Sequence, residues 1–161
     1  MRRISPPTLS IGALALSILL LDYLTKYLAI AHFSRGSQEV FGKFLQFTLV
    51  KNSGAAFGIG TSFTIALSLF AVAVVAVVIR YATQIKVRSW IITTGLLLGG
   101  ALGNLVDRIF REPGFLQGHV IDWIKIPNWP VFNIADMAII CAAISGFILT
   151  VRNIPPITRI R

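Results

Sequence analysis

The sequence predicts an all-α polytopic membrane protein, four transmembrane helices carrying a small extracytoplasmic β-sheet, and three observations lead there. The 161-residue chain is 55% hydrophobic and only 13% charged, against roughly 25% charged residues in an ordinary soluble domain. Uncharged runs recur at 5–21, 52–79, 89–106 and 137–151, on the scale of the about 20 helical residues that cross a bilayer core of about 30 Å. Two segments between these runs have the alternation and the aromatic and β-branched content of strands. No linker, repeat or low-complexity tract divides the chain, so residues 1–161 read as one membrane domain.

The first run is too short to span alone. It must continue past Asp22 and Lys26, giving a span of about 10–31. The i,i+4 spacing of that pair suits a helical ion pair. Arg2-Arg3, an apolar stretch and Ala29-Ile30-Ala31 also resemble a cleavable secretory signal. However, the apolar core ends at Leu21, far from that site, and the span reading is preferred. In the loop of about 32–60, Phe44–Val50 reads as a strand. Asn52–Gly58 is a small-residue turn that lets backbone approach a ligand. A second span follows at about 61–80 and a third at about 89–108, whose Gly95, Gly99, Gly100 and Gly103 form a small-residue packing face. The loop of about 109–130 holds a second strand, Val120–Ile126. The fourth span, about 131–151, must begin early enough to include Asp136. Cys141 falls inside it and reads as a small buried hydrophobe. Irregular backbone at membrane depth is tolerated only against protein or a wet cavity, so the strands are expected to wall a cleft.

Four spans put both termini on one side. That side carries Arg2, Arg3, Arg80, Lys86, Arg88, Arg152, Arg159 and Arg161 without an acid, whereas the opposite ends and loops carry the other basic residues and all six acids. The positive-inside rule counts Lys and Arg, where the margin is eight against seven, and the short 81–88 loop with Lys86 and Arg88 decides for cytoplasmic termini, so every carboxylate is expected at the outer face. The net charge of +9 is scattered between apolar runs rather than gathered in a stripe, which argues against nucleic acid. His32 and His119 are too few and too separated for a metal site. No phosphate loop or Gly-x-Ser-x-Gly elbow is present, and one cysteine excludes an internal disulfide. No metal or other cofactor is expected.

Carboxylates near a bilayer core are expensive and persist mainly where they act. Asp22 with Lys26, and Asp107 with Arg108 beside it and Asn104 one turn earlier, read as charge-paired structural residues. Asp122, on a strand-like loop, and Asp136 lack such a partner. Asp136 follows Asn133 by three, so it is also an N-cap acid at the start of span four. If the two are brought together, they cannot both ionise cheaply. The ionised one can then take a proton from water while the protonated one polarises a carbonyl, which hydrolyses a peptide bond without a covalent intermediate. The rival from another class is a proton-coupled transporter using Asp22, Asp107, Asp122 and Asp136 as a relay. Against it, nothing ionisable lies in the inner halves of the spans. A purely structural membrane partner would leave the clustered Asn and Asp unexplained.

Five segments, Asp22–Lys26, Asn52–Phe57, Gly99–Arg108, Val120–Trp123 and Phe132–Asp136, occur in the order seen in bacterial lipoprotein signal peptidases, and the chain resembles that family (signal peptidase II). The resemblance implies an aspartic endopeptidase of the bacterial cytoplasmic membrane with its site at the outer face and an extracytoplasmic β-cradle. It implies a lipid-modified prolipoprotein as substrate, cut just before the lipidated cysteine. Asp122 and Asp136 correspond to the family's catalytic pair. Asn52, Gly54, Asn104, Arg108 and Asn133 match residues lining or supporting the site, and Asp22, Lys26 and Asp107 match polar support. Trp123 stands where Phe is common. The expected partners are substrate and membrane lipid, with the protein a monomer.

Overall fold

The computed structural model describes residues 5–54 and 60–157, and of residues 60–62 the backbone alone. Among the described residues, four helices are long and apolar enough to cross a membrane. They are α1 (Pro6–Phe33), α2 (Gly60–Tyr81), α3 (Arg88–Phe110) and α4 (Ile134–Val151), and a single 3-10 turn, Ala82–Gln84, follows α2. Pro6 and Pro7 open α1, where the missing N–H groups cost nothing and the fixed φ suits a helix. α4 begins at Ile134 rather than near 131. Phe132 pairs with Ile124 as an isolated bridge, and Asn133 caps the helix. The backbone N–H of Phe132 is therefore already committed to a strand partner.

Three strands form an antiparallel sheet in the order β1 (Gln38–Phe41), β2 (Leu45–Asn52), β3 (Val120–Lys125). The two predicted strands are present, and β1 is added to them. β1 is exposed along its whole length and so lacks the alternation that marks a half-buried strand. Along β2 and β3 the register sets Asn52 against Val120 and Val50 against Asp122, with an irregularity between Phe47 and Val50. That irregularity shifts the pairing along the strand, and beyond it the end of β2 runs beside Asp122. The ring of Phe47 meets Trp123 edge-on at 5.0 Å and Phe33 at 5.6 Å, which fastens the sheet to the end of α1.

α3 is the central helix. Half of its apolar window is buried, against 17–22% for the other three helices. Its glycines serve two faces rather than the single face expected. A Cβ on Gly99 would stand 2.8 Å from the Ala15 carbonyl oxygen of α1, and one on Gly100 would stand 2.5 Å from the Ala135 carbonyl oxygen of α4. Backbone cannot retreat as a side chain can, so both helices lie against α3 at a distance only glycine allows. Leu16, Leu20, Ile79 and Phe147 point outward, as a lipid-facing surface requires. Cys141 lies on that outer surface too, which corrects the expectation that it is buried. It faces away from the α3 contact, which α4 makes through residues such as Ala135, Ala138 and Ala142. Inside, the bundle is divided by polarity. Ile11, Ala15, Val78, Ala82 and Leu98 pack as an apolar core toward one end, while Asp22, Lys26, Asp107 and Arg108 are buried toward the other.

Gly100→Ala is expected to lower the thermal midpoint of the detergent-purified protein by the equivalent of about 1–3 kcal/mol. Gly12→Ala, where an added Cβ meets nothing within 4 Å, should leave it unchanged. Equal midpoints for the two variants would contradict the close α3–α4 approach.

Candidate active site

The polar end of the bundle is organised around one cation. Lys26 of α1 places its ammonium 2.7 Å from Asp22 Oδ2 and 2.7 Å from Asp107 Oδ2 of α3, with all three side chains almost completely buried. Arg111 pairs with the other oxygen of Asp107 through its Nε. Asp107 is therefore charge-paired as expected, but its partners are Lys26 and Arg111 rather than Arg108. Adjacent residues on a helix point about 100° apart, whereas Asp107 and Arg111, four apart, share a face. The i,i+4 spacing that singles out Asp22 and Lys26 also marks this pair. Arg108 turns the other way, and its Nη1 donates to the backbone oxygens of Asn52 (3.2 Å) and Gly118 (3.0 Å). It thereby ties the end of β2 to the loop before β3.

Each braced carboxylate has a second duty. Asp22 Oδ1 accepts the backbone N–H of Ala135 at 2.9 Å, and Asp107 Oδ2 accepts that of Ile121 at 3.2 Å. Ala135 and Ile121 are the residues immediately before Asp136 and Asp122. The structural acids therefore hold the backbone one residue away from the two other acids.

Asp122, on β3, and Asp136, in the first turn of α4, line one cavity of about 300 Å³ together with Asn52, Asn104 and Arg108. Asp122 receives Asn133 Nδ2 on Oδ1 at 2.6 Å and Asn52 Nδ2 on Oδ2 at 2.8 Å. Asp136 receives Asn104 Nδ2 on Oδ1 at 2.7 Å and the Asn133 backbone N–H on Oδ2 at 3.2 Å. The capping arrangement expected of Asp136 is present, with Asn133 Oδ1 accepting the Asp136 N–H at 2.9 Å. Capping and cavity lining coexist because the cap fixes the carboxyl where the helix begins, at the cavity wall.

The orientation of the three amides follows from their anchors. Asn52 Oδ1 is held by the N–H of Gly54 at 2.7 Å, Asn104 Oδ1 by Lys26 Nζ at 3.2 Å, and Asn133 Oδ1 by the N–H of Asp136. With every amide oxygen claimed by a donor, each NH2 group is left to face a carboxylate. Gly54 has φ +81°, and a Cβ there would stand 2.7 Å from Leu67 Cδ1 and 3.1 Å from Arg108 Nη2, so only glycine closes this turn. The remainder of the expected turn, residues 55–58, lies outside the described residues.

Burial pushes the Asp122 carboxyl up to about 6. The Asn52 amide pulls the other way, the neighbouring negative charge of Asp136 adds to the rise, and Asn133 and Lys26 oppose it. A carboxyl in that range exchanges its proton near neutrality, as acid–base work requires. The rest of the cavity wall is apolar, with Leu67, Phe70, Ala71 and Val74 from α2, Leu97 and Ala101 from α3, and Ile139 from α4. The arrangement is two carboxyls at one end of an apolar groove that runs between α2 and α4. Thr64 and Ser68 of α2 escaped the sequence reading. Their hydroxyls donate to the Ser53 and Leu116 carbonyl oxygens, fastening α2 to both loops, and a hydroxyl in an apolar helix gives no signal of such a partner.

The chain matches the model of the family described as Signal peptidase (SPase) II over residues 14–152. It is 48% identical over 153 residues to the lipoprotein signal peptidase of Leifsonia xyli subsp. xyli, covering 90% of this chain and 71% of that one. It is 46% identical over 145 residues to that of Streptomyces coelicolor, covering 89% and 71%. Two solved structures of bacterial membrane enzymes superpose with TM-scores of 0.75 and 0.77 at 25% and 27% identity. They cover 94% and 88% of this chain, and 93% and 92% of theirs.

Lys26→Met leaves Asp22 and Asp107 buried without their shared cation and is expected to cost about 3–5 kcal/mol, read as a fall in thermal midpoint. Combining it with Asp22→Asn should recover part of that loss. A single variant as stable as the parent would show that the cation does not brace the bundle.

Proposed function

The chain belongs to the signal peptidase II family, and from that premise we propose that it is an aspartic endopeptidase that removes the signal peptide from lipid-modified prolipoproteins, cutting just before the lipidated cysteine. The observation that carries this reading is the convergence of Asp122 and Asp136 on one cavity, with Asn133 bonded to both. The apolar groove leading away between α2 and α4 suits an apolar signal helix arriving from the bilayer, while the lipid tails remain among lipid. The short basic loop of 81–88, carrying Lys86 and Arg88 at the opposite end, supports cytoplasmic termini and a site at the outer face of the cytoplasmic membrane.

Asp122 and Asp136 share one proton and hold the attacking water between them. The ionised carboxylate takes a proton from the water as its oxygen attacks the scissile carbonyl carbon. The protonated carboxyl polarises the carbonyl oxygen, and the tetrahedral intermediate collapses with proton delivery to the leaving amine. The donor-inward amides of Asn52, Asn104 and Asn133 keep the charge on the pair in place through both steps. Arg108, at the cavity wall, lends positive potential to the developing oxyanion. The apolar lining from α2, α3 and α4 lowers the local dielectric beside the carboxyls, which strengthens each of these interactions.

Asp122→Asn and Asp136→Asn should each abolish cleavage of a lipidated prolipoprotein by the purified enzyme while leaving protein yield near that of the parent. Substantial turnover by either variant would reject the two-aspartate mechanism. Because the active pair carries one proton, kcat/KM should fall as pH rises through about 6, where the raised Asp122 carboxyl loses its proton. Asn52 donates to the ionised form and holds that value down, so Asn52→Ala should move the falling limb to higher pH. A limb that stays put or moves down would show that Asp122 is not the group titrating.

A further inference from the structure

We propose that a second pocket, between α1 and α3, binds the phosphate group of a membrane glycerophospholipid. The pocket is about 220 Å³ and is lined by Tyr23, Tyr27, Ile30, Val106, Phe110 and Arg111, with Asp107 at its floor. It uses a different face of α3 from the cavity that holds Asp122 and Asp136, and no step of the cleavage mechanism passes through it.

Depth is the first reason. At 1.5 Å per residue, the 23 residues of α3 run about 35 Å, slightly more than a hydrocarbon core of about 30 Å. Arg111, the residue just past the helix end, then stands in the headgroup layer, with Phe110, Tyr27 and Tyr23 around it. Tyrosines are enriched at that level, and all three side chains are more than half exposed. Donor geometry is the second reason. Asp107 occupies the Arg111 Nε and so fixes the plane of the guanidinium. Nη1 and Nη2 have no hydrogen-bond partner among the described residues, and the side chain is 26% exposed. A planar fork held at one edge and open at the other is suited to two phosphate oxygens. The Tyr23 and Tyr27 hydroxyls add donors at the rim, and Ile30, Val106 and Phe110 offer apolar surface to an acyl chain.

Charge sharpens the class of ligand. Asp22 and Asp107 are balanced by Lys26 and Arg111, so the cluster attracts a hydrogen-bond acceptor more than net negative charge. Phosphatidylglycerol and zwitterionic phosphatidylcholine should both be held, and a diacylglycerol, which lacks the phosphate, should not.

The test is native mass spectrometry of the delipidated full chain titrated with each of these three lipids. Arg111→Gln is expected to lower the occupancy of both phospholipids about tenfold, and Arg111→Lys to restore part of it. Ile30→Trp, which fills the pocket without touching the ion pair, should give the same loss, so that a folding defect in the Arg111 variants does not decide the outcome. Unchanged occupancy in Arg111→Gln and Ile30→Trp would overturn the proposal, as would retention of diacylglycerol equal to phosphatidylcholine. Displacement of bound phospholipid by inorganic phosphate alone would also overturn it, marking a free-anion site.

Discussion

The shared ion pair of Lys26 with Asp22 and Asp107 is the constraint on which the rest of the structure depends. Burying three charges is costly, and their mutual attraction offsets that cost only when geometry and hydrogen bonding are complete. Here they are complete because Asp22 Oδ1 accepts the Ala135 N–H, Asp107 Oδ1 meets Arg111, and Asp107 Oδ2 accepts the Ile121 N–H beside Lys26. The result is a rigid node joining α1, α3, the start of α4 and β3. The glycines of α3 make it possible, since Gly103 stands where a Cβ would lie 2.7 Å from Asp22 Oδ2.

The carboxyl pair at the cavity is built outward from that node. Ile121 and Ala135 are pinned by the structural acids, and the next residue in each case faces the cavity. Lys26 also fixes the amide of Asn104, so a single ammonium orders both the backbone beneath Asp122 and Asp136 and one of the donors that meet them. Both carboxyls line the same cavity, and Asn133 is hydrogen-bonded to each. The arrangement also separates duties by environment: Asp22 and Asp107 are neutralised by cations, whereas Asp122 and Asp136 are met mainly by neutral amides. Burial raises the Asp122 carboxyl to about 6, and the neutral amides of Asn52 and Asn133 only partly offset that rise.

The same contrast explains what could be read in the chain. Asp22 with Lys26, and Asn133 with Asp136, were legible because both partners lie on one helix or at its cap, where spacing fixes geometry. β2 and β3 were legible from their aromatic and β-branched content, whereas exposed β1 was not. Arg108, next to Asp107 in sequence, does not pair with it because nearness in sequence is not nearness on a helix face. Arg111, four residues on, has the spacing that does. The outward position of Cys141 is not legible, because an apolar helix in lipid is apolar on every side and composition does not reveal which face meets protein.

Four spans, two of the three strands and the pairs set by helical spacing are written locally in the chain, because bilayer thickness and helix geometry act over short stretches of sequence. That Lys26 serves two acids emerges only in the packed fold. It alone turned three amides donor-inward, placed Arg111 on Asp107, and brought a strand residue and a helix-cap residue to one cavity. Those outcomes join residues dozens of positions apart, and their geometry is set by the close packing of α1 and α4 on a glycine-bearing α3, which no local pattern encodes.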